Sequence, residues 1–512
     1  VLFDEFDIAG VARNMHFDRE ASLPVRAHYF SGRLYIMDSV VDKRLLFFPF
    51  LVSLVHDLTG YRPENVFYVN AGLSAILLLL VYAFGFGLGG QRLGCLGVLL
   101  LAGLPLIAQN ATGGGHELAN LVMILLFYFL GCRYFRSAGA EGLNLFILAA
   151  VLLAQVRYES ILYVLVVPAV AFCKWRREGR ITLTWLAALS PALLLAPLLS
   201  NEVFMSEKDF FQTLPGQAFF SLHYLPDNLG RAIYYLFNPG FGSTNSFLLS
   251  ASGLFAAGFF ALLLLRNIGR WYQQRSPEIV LVGIALVVVG TTLLGLVNFW
   301  GQWDDPLVSR FSLPLQLLMV LLILRIAVEF LKTRLLPKWG PMVAGAWLVL
   351  FAAPASAQHF LTTDIVTAGE YRWYLDFLSH KDPSETLTLS GSSLGPIIYN
   401  RPAISFDAAR AHRWEVNACL DGEFYREIIV LQRFKLDFKT GKYVETGPSL
   451  LGAGFKLETI AERRFRPYLV SRISRLVEVD LTHVSAPPGF DAEKPPFENN
   501  DAMLTHLWRK LP

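Results

Sequence analysis

Charge is what this sequence has least of. Only 17% of its 512 residues are Asp, Glu, Lys or Arg and 54% are hydrophobic, against roughly 25% charged in an ordinary soluble domain. That deficit excludes a free-standing soluble enzyme and reads as an integral membrane protein. The net charge of +3 is dispersed along the chain, with no dense basic stripe, which excludes nucleic acid as a partner. Cysteine is scarce too. Cys95, Cys132, Cys173 and Cys419 have no metal-ligand spacing, so neither a zinc site nor a disulfide framework is indicated. The opening stretch "VLFDEFDIAG" lacks the basic start and apolar run of a signal peptide, and no initiator Met precedes it.

What is abundant is long apolar runs. A spanning helix needs about 20 largely apolar residues, and candidates lie near 64–88, 92–109, 117–132, 142–156, 159–173, 182–200, 247–265, 278–300, 311–331 and 341–357. Basic connections fall at every second turn: Arg133 and Arg136, Lys174 to Arg180, Arg266 to Arg275, and Lys332 to Lys338. The positive-inside rule puts these in the cytoplasm. The remaining connections then face outward: residues 1–63, "NATGGGHE", "VRYE", the long loop 201–246, "WGQWDDPLVSR", and everything after about 358. With Val1 outside, a further helix is expected ahead of it, making about eleven spans. Past residue 358 the character changes, since "SETLTLSGSSLGPIIYNRPAISF" reads as strand, turn and strand, and "EFYREIIVLQRF" as strand. The expected fold is a polytopic α-helical membrane protein: a first outer loop with juxtamembrane helices (1–63), a multi-helix transmembrane domain (64–357) and a soluble extracytoplasmic α/β domain (358–512).

The polar residues gather at the outward ends. Asp4 and Asp7 share a face if their segment is helical, while Glu5 points elsewhere. Close carboxylates suit a base with an orienting partner or hard oxygen ligands for a cation, and equally a solvated helix entry. In "NATGGGHELANL", Gly113, Gly114 and Gly115 free the backbone ahead of His116 and Glu117. A Gly-rich turn opening a helix can bind phosphate, or be only a flexible turn. Arg157 and Glu159 stand at another outward turn, where they either pair with each other or grip a phosphate. Arg310, just after Asp304 and Asp305, heads an apolar helix and favours planar contact with an anionic oxygen. Lys43 and Arg44 add positive charge to the first outer loop. Carboxylates with separate cations suit transfer of a group from an anionic, lipid-linked donor.

In order, side and spacing these features resemble the GT-C superfamily of polytopic glycosyltransferases, in the branch of protein O-mannosyltransferases and aminoarabinose transferases. Asp4-Glu5 is similar to the Asp-Glu pair that opens the family's first outer loop. Lys43 in "DKRLLFFPFLVSLVHDLTG" matches a family lysine, although Arg44 and Leu45 stand where prolines usually follow. Glu117 matches an acidic residue of the second outer loop, and Arg310 in "SRFSLPLQLL" the Arg-aromatic-x-x-Pro pattern opening a late helix. "FDIAG" departs from the usual Gly and aromatic after the acids, and Asp7 is an extra acid. The resemblance implies a polyprenyl-phosphate sugar donor, Asp4 as general base, inversion at the anomeric carbon, and an acceptor that is protein, lipid or glycan. It implies that Lys43, Arg157 and Arg310 neutralise the phosphate, while Glu5 and Glu117 orient the acceptor or help hold a divalent cation, which only some relatives use; His116 is a candidate ligand, and Asp7 a candidate for acceptor or metal orientation that the resemblance does not explain. A bacterial inner membrane, with the active face and C-terminal domain outside, is the implied location.

Two rivals share many helices. A transporter of lipid-linked sugars keeps its polar residues near the midplane on broken helices, whereas these cluster at one face. A non-catalytic subunit of GT-C fold would instead use the outer domain to dock a membrane-complex partner.

Overall fold

The computed structural model describes residues 3–494 apart from 43, 138, 205–216, 241–242, 331–334, 362–365, 423, 446–449, 483 and 485–489. The chain divides into two compact units: residues 43–51 with 64–362, and residues 1–42 with 52–63 and 363–512.

The first unit is helical because its sequence is a succession of apolar runs. Asn65–Gly89, Glu117–Arg136, Tyr158–Glu178, Phe247–Gln273, Glu278–Leu296, Ser309–Glu329 and Trp339–Gln358 are each long and apolar enough to cross a membrane. Gln91–Ala102 and Pro105–Ala111 form one further apolar stretch bent by 75°, with Pro105 starting the second helix at the position where its missing N–H costs nothing. Of the other expected spans, Glu141–Ala154 is shorter than a bilayer needs, and Trp185–Phe204 is a 20-residue helix whose described apolar part is Trp185–Leu195. The chain is therefore a polytopic helical membrane protein whose described residues hold seven helices long and apolar enough to span, or eight with the bent pair.

Burial orders these helices. In Glu117–Arg136 and Ser309–Glu329, 78% and 72% of the apolar window is buried inside the protein, against 17% to 39% in the others. These two form the middle of the unit and the rest shield them. Close approach relies on small residues: at Gly85 a Cβ would lie 2.5 Å from the Leu93 carbonyl oxygen of the neighbouring helix. At the end of Glu117–Arg136 the buried Lys174 amine donates to the carbonyls of Tyr134 and Ser137 at 2.8 and 2.6 Å, capping the helix terminus.

The second unit is built on a mixed sheet of eight strands: β1 (Leu23–Phe30), β2 (Arg33–Val40), β3 (Thr386–Ser390), β4 (Ala403–Ser405), β5 (Glu427–Leu436), β6 (Tyr443–Glu445), β7 (Phe455–Arg466) and β8 (Leu469–Val479). Their order is β2-β1-β4-β3-β5-β8-β7, with β6 on β5. Strands β3, β4 and β5 run parallel and the other pairs antiparallel. The strand-rich character expected after residue 358 is present, and between β3 and β4 the expected turn is a short helix, Leu394–Ile398. The sheet is not made from the C-terminal segment alone. Strands β1 and β2 lie within the stretch read as a loop with juxtamembrane helices, and β1 pairs with β4 through Arg26–Ile404 and Ala27–Ala403.

Polar side chains lock that pairing. His28 Nε2 is 2.7 Å from Glu415 Oε1, Arg26 pairs with the other carboxylate oxygen, and His28 Nδ1 is 3.1 Å from the Tyr425 hydroxyl, all of them buried. Burial works against ionisation of Glu415, but the His28 hydrogen bond and the charges of His28 and Arg26 outweigh it and hold the carboxyl below its ordinary range. A second buried carboxylate, Glu370, accepts from Arg433 Nε at 3.0 Å and from Ser471, fixing the helix Val366–Ser379 to β5 and β8.

Candidate functional site

The helical unit carries its polar cluster at one end, built from three stretches far apart in sequence. Glu117 is the first residue of the helix Glu117–Arg136 and is almost fully buried. Arg157 sits in extended backbone between Glu141–Ala154 and the 3-10 turns Tyr158–Leu165. Arg310 lies in the 3-10 turn Ser309–Ser312 that opens the helix Leu313–Glu329. One carboxylate oxygen, Oε1 of Glu117, is 3.1 Å from Arg310 Nη1 and 3.5 Å from Arg157 Nη1. Arg157 Nε also pairs with Glu159 at 2.5 Å, at a point where Glu159 is more open to solvent.

The Phe311 ring lies beneath both guanidinium groups, 4.8 Å from Arg157 and 5.6 Å from Arg310. Planar cations stacked on an aromatic face keep a fixed orientation. A second tie, Ser160 Oγ donating to Asn120 Oδ1 at 2.7 Å, binds the 3-10 segment to the Glu117 helix.

The glycine-rich turn has two jobs here. Asn70, fully buried in the helix Asn65–Gly89, donates from Nδ2 to the carbonyls of Gly113 and Gly115, both at 2.7 Å. At Gly115 a Cβ would run into Oε2 of Glu117, so glycine at that position lets the carboxylate fold back over the turn. His116, half-buried and one residue ahead of the helix, has its imidazole pushed below the usual range by burial, with Glu117 opposing and Arg157 and Arg310 adding to the effect. A neutral imidazole can accept one hydrogen bond and donate another.

The sheet unit holds the acidic stretch. Residues Phe3–Phe17 are helical, as the shared-face reading of Asp4 and Asp7 requires. Glu5 is buried rather than solvated, Asp7 is half-buried, and neither is left without an interaction. Tyr371 has its hydroxyl pushed up to about 12, chiefly by burial, with Asp7 among the charges that add to the shift. The side chain of Asp4, and Lys43 entirely, lie outside the described residues.

Of the residues expected in the site, the structure thus brings together Arg157, His116, Glu117 and Arg310. Asp304 and Asp305 are occupied elsewhere, Asp304 with Arg231 at 3.1 Å and Asp305 capping the Leu307 amide at 2.7 Å. Asn70 was missed, and Phe311 entered only as the aromatic of the Arg310 pattern. An Asn in the apolar run "YVNAGLSAILLLL" is the signal that could have found the first, since polar groups inside spans need a partner.

Among the described residues, no group of three or more His, Cys, Asp or Glu side chains is placed to hold a metal ion. Chemically, the cluster offers two oriented guanidinium groups in a poorly solvated place, the arrangement that recognises a phosphate oxygen pair.

No family model matches the sequence, and no curated protein matches it. Among solved structures, the fold is similar to that of ArnT from Cupriavidus metallidurans bound to undecaprenyl phosphate, with 11% identity, 92% of this chain and 94% of that one covered, and a TM-score of 0.47. The apo state of the same protein gives 11% identity, 92% and 93% coverage, and a TM-score of 0.45.

Proposed function

We propose that this chain is a membrane glycosyltransferase that moves a sugar from a polyprenyl-phosphate donor to an acceptor at the extracytoplasmic face. The observation that carries the reading is the meeting of Glu117, Arg157 and Arg310, three residues singled out separately from the sequence and joined through one carboxylate oxygen. Chance packing of an apolar chain gives no reason to bury two arginines at one spot, because each buried charge must be compensated.

In the reaction, an acceptor hydroxyl or amine gives its proton to the carboxylate of Asp4. Its freed lone pair forms the new bond to the anomeric carbon from the face opposite the phosphate. The bond between that carbon and the phosphate oxygen breaks, the electron pair stays on the oxygen, and the polyprenyl phosphate leaves. Arg157 and Arg310, with Lys43, stabilise the growing negative charge on that phosphate. Glu117 holds the two guanidinium groups together and oriented before the donor arrives, so that little reorganisation is left for the reaction itself. Glu5, Asp7 and His116 orient the acceptor.

Purified full-length protein in lipid nanodiscs, given synthetic polyprenyl-phosphate sugars and an acceptor panel, tests this. Sugar transfer in the wild type and a loss of about 10²-fold or more in Asp4→Asn, with donor binding retained, is the expected result. Transfer undiminished in Asp4→Asn would sink the proposed base, and no transfer from any prenyl-linked donor would overturn the enzyme reading.

A further inference from the structure

We propose that the C-terminal sheet domain is the seat of the acidic N-terminal helix, and that Asn400 is the positioning residue through which it sets that helix. This rests on the reading above, in which Asp4 and Glu5 on that helix meet the acceptor.

Within the sheet unit, the helix Phe3–Phe17 packs on the short helix Leu394–Ile398. Phe6 and Ala9 bury against Leu394 and Ile398, and the Phe6 ring lies 4.5 Å from Tyr371. Beyond this apolar contact come directed ones: Asn14 Nδ2 donates to Ser22 Oγ at 3.3 Å, His16 Nδ1 lies 2.6 Å from Asp57 Oδ1, and Arg13 reaches the turn that follows Leu394–Ile398. The buried Arg13 donates from Nε and Nη2 to Oδ1 of Asn400 at 3.3 and 3.0 Å, with its guanidinium 4.8 Å over the Phe17 ring.

The backbone that carries the Asn400 side chain is held in a closed turn. Asn400 has a φ of +55°, in the left-handed region that Asn tolerates better than most side chains. Its amide donates to the Ile397 carbonyl at 2.9 Å, and the next amide, of Arg401, donates to Pro396 at 3.0 Å. The Tyr61 hydroxyl closes the same turn by donating to the Ile398 carbonyl at 2.5 Å. After the N-terminal helix the chain enters the sheet directly as β1, pinned by Arg26 and His28 to Glu415. The C-terminal end of the helix is therefore held by the strand that follows it, by Ser22 and Asp57, and, against Leu394–Ile398, by Asn400.

Asp4 stands nine residues from Arg13, about 13 Å along a helix that rises 1.5 Å per residue. A tilt of roughly 5° about the anchor moves it by about 1 Å, a displacement of the size that costs about 10²-fold when reacting groups are misplaced. The domain thereby acts on the rate rather than on donor affinity.

Two substitutions in the full-length protein in nanodiscs separate this from a general packing role. Asn400→Gly keeps the left-handed backbone and removes the acceptor oxygen, whereas Asn400→Asp keeps an oxygen facing Arg13. We expect Asn400→Gly to lower kcat by about 10- to 100-fold with KM for the lipid donor little changed. Amide exchange in residues 3–17 should speed up while β5 and β8 stay protected, and Asn400→Asp should restore both. Wild-type kcat or wild-type protection of residues 3–17 in Asn400→Gly would overturn the proposal, as would failure of Asn400→Asp to restore what Asn400→Gly loses. If the wild type transfers no sugar, the functional reading fails, and the exchange measurement still decides whether Asn400 seats the helix.

Discussion

Replacing Glu117 with Gln is the sharpest test of the polar cluster, because the two arginines respond differently. At an effective dielectric of about 20, opposite charges 3.1 Å apart attract by about 5 kcal/mol. Most of that is offset by the cost of taking both groups out of water. What matters on substitution is the charge left behind: breaking a buried pair costs about 3–5 kcal/mol in soluble proteins, while interhelical polar contacts in membranes run nearer 1–2. Glu117 has 2% of its side chain exposed and Arg310 13%, so solvent can do little to compensate. We therefore expect Glu117→Gln to destabilise the protein by about 3 kcal/mol. Arg157→Gln should cost less, since Arg310 still satisfies Glu117 and the released Glu159 is 37% exposed. Reversible unfolding in mixed detergent micelles measures each variant, and the double variant Glu117→Gln/Arg310→Gln completes a cycle. A coupling of about 1–3 kcal/mol is expected. Additivity within about 0.5 kcal/mol, or an Arg157→Gln penalty larger than that of Glu117→Gln, would show that the shared carboxylate does not hold this cluster together.

Two further outcomes follow from the same geometry. Gly115→Ala drives a Cβ into the Glu117 carboxylate; transfer should fall by about 10-fold or more, a loss of about 1.4 kcal/mol in transition-state stabilisation, and an unchanged rate would mean that the folded-back carboxylate is not the functional one. The sheet unit should lose stability in acid. Glu415 has a folded-state pKa below its ordinary value of about 4.3, so the unfolded chain binds the proton more readily and stability falls as pH falls. Its contribution is complete above the unfolded pKa and is lost as pH drops through the folded one. Melting of the full-length protein from pH 7 to pH 3 should steepen at the acid end in the wild type and be flatter in Glu415→Gln; parallel curves would contradict this.

Why the helices and the C-terminal strands were readable and β1 was not comes down to where each element finds its partners. A span such as "EIVLVGIALVVVGTTLLGL" satisfies its backbone internally and declares itself by composition alone. Strand β1, "LPVRAHYF", does the opposite. Arg26 and His28 occupy buried positions, so its polar residues read as loop. Their compensation comes from Glu415 and Tyr425, in a segment of the chain nearly four hundred residues later. No local pattern can announce such a pairing, because the apolar alternation that marks a half-buried strand is replaced by an ion pair visible only once both ends are together. The candidate site falls between these cases. Glu117, Arg157 and Arg310 were legible as isolated charges at the mouths of apolar helices, where each is costly alone. Their sharing of one oxygen was not legible, nor was Asn70, whose two donated bonds hold the turn in which Glu117 can reach both arginines. A charge at a helix mouth therefore identifies a candidate, and the uncharged residue that fixes its backbone decides whether it can act.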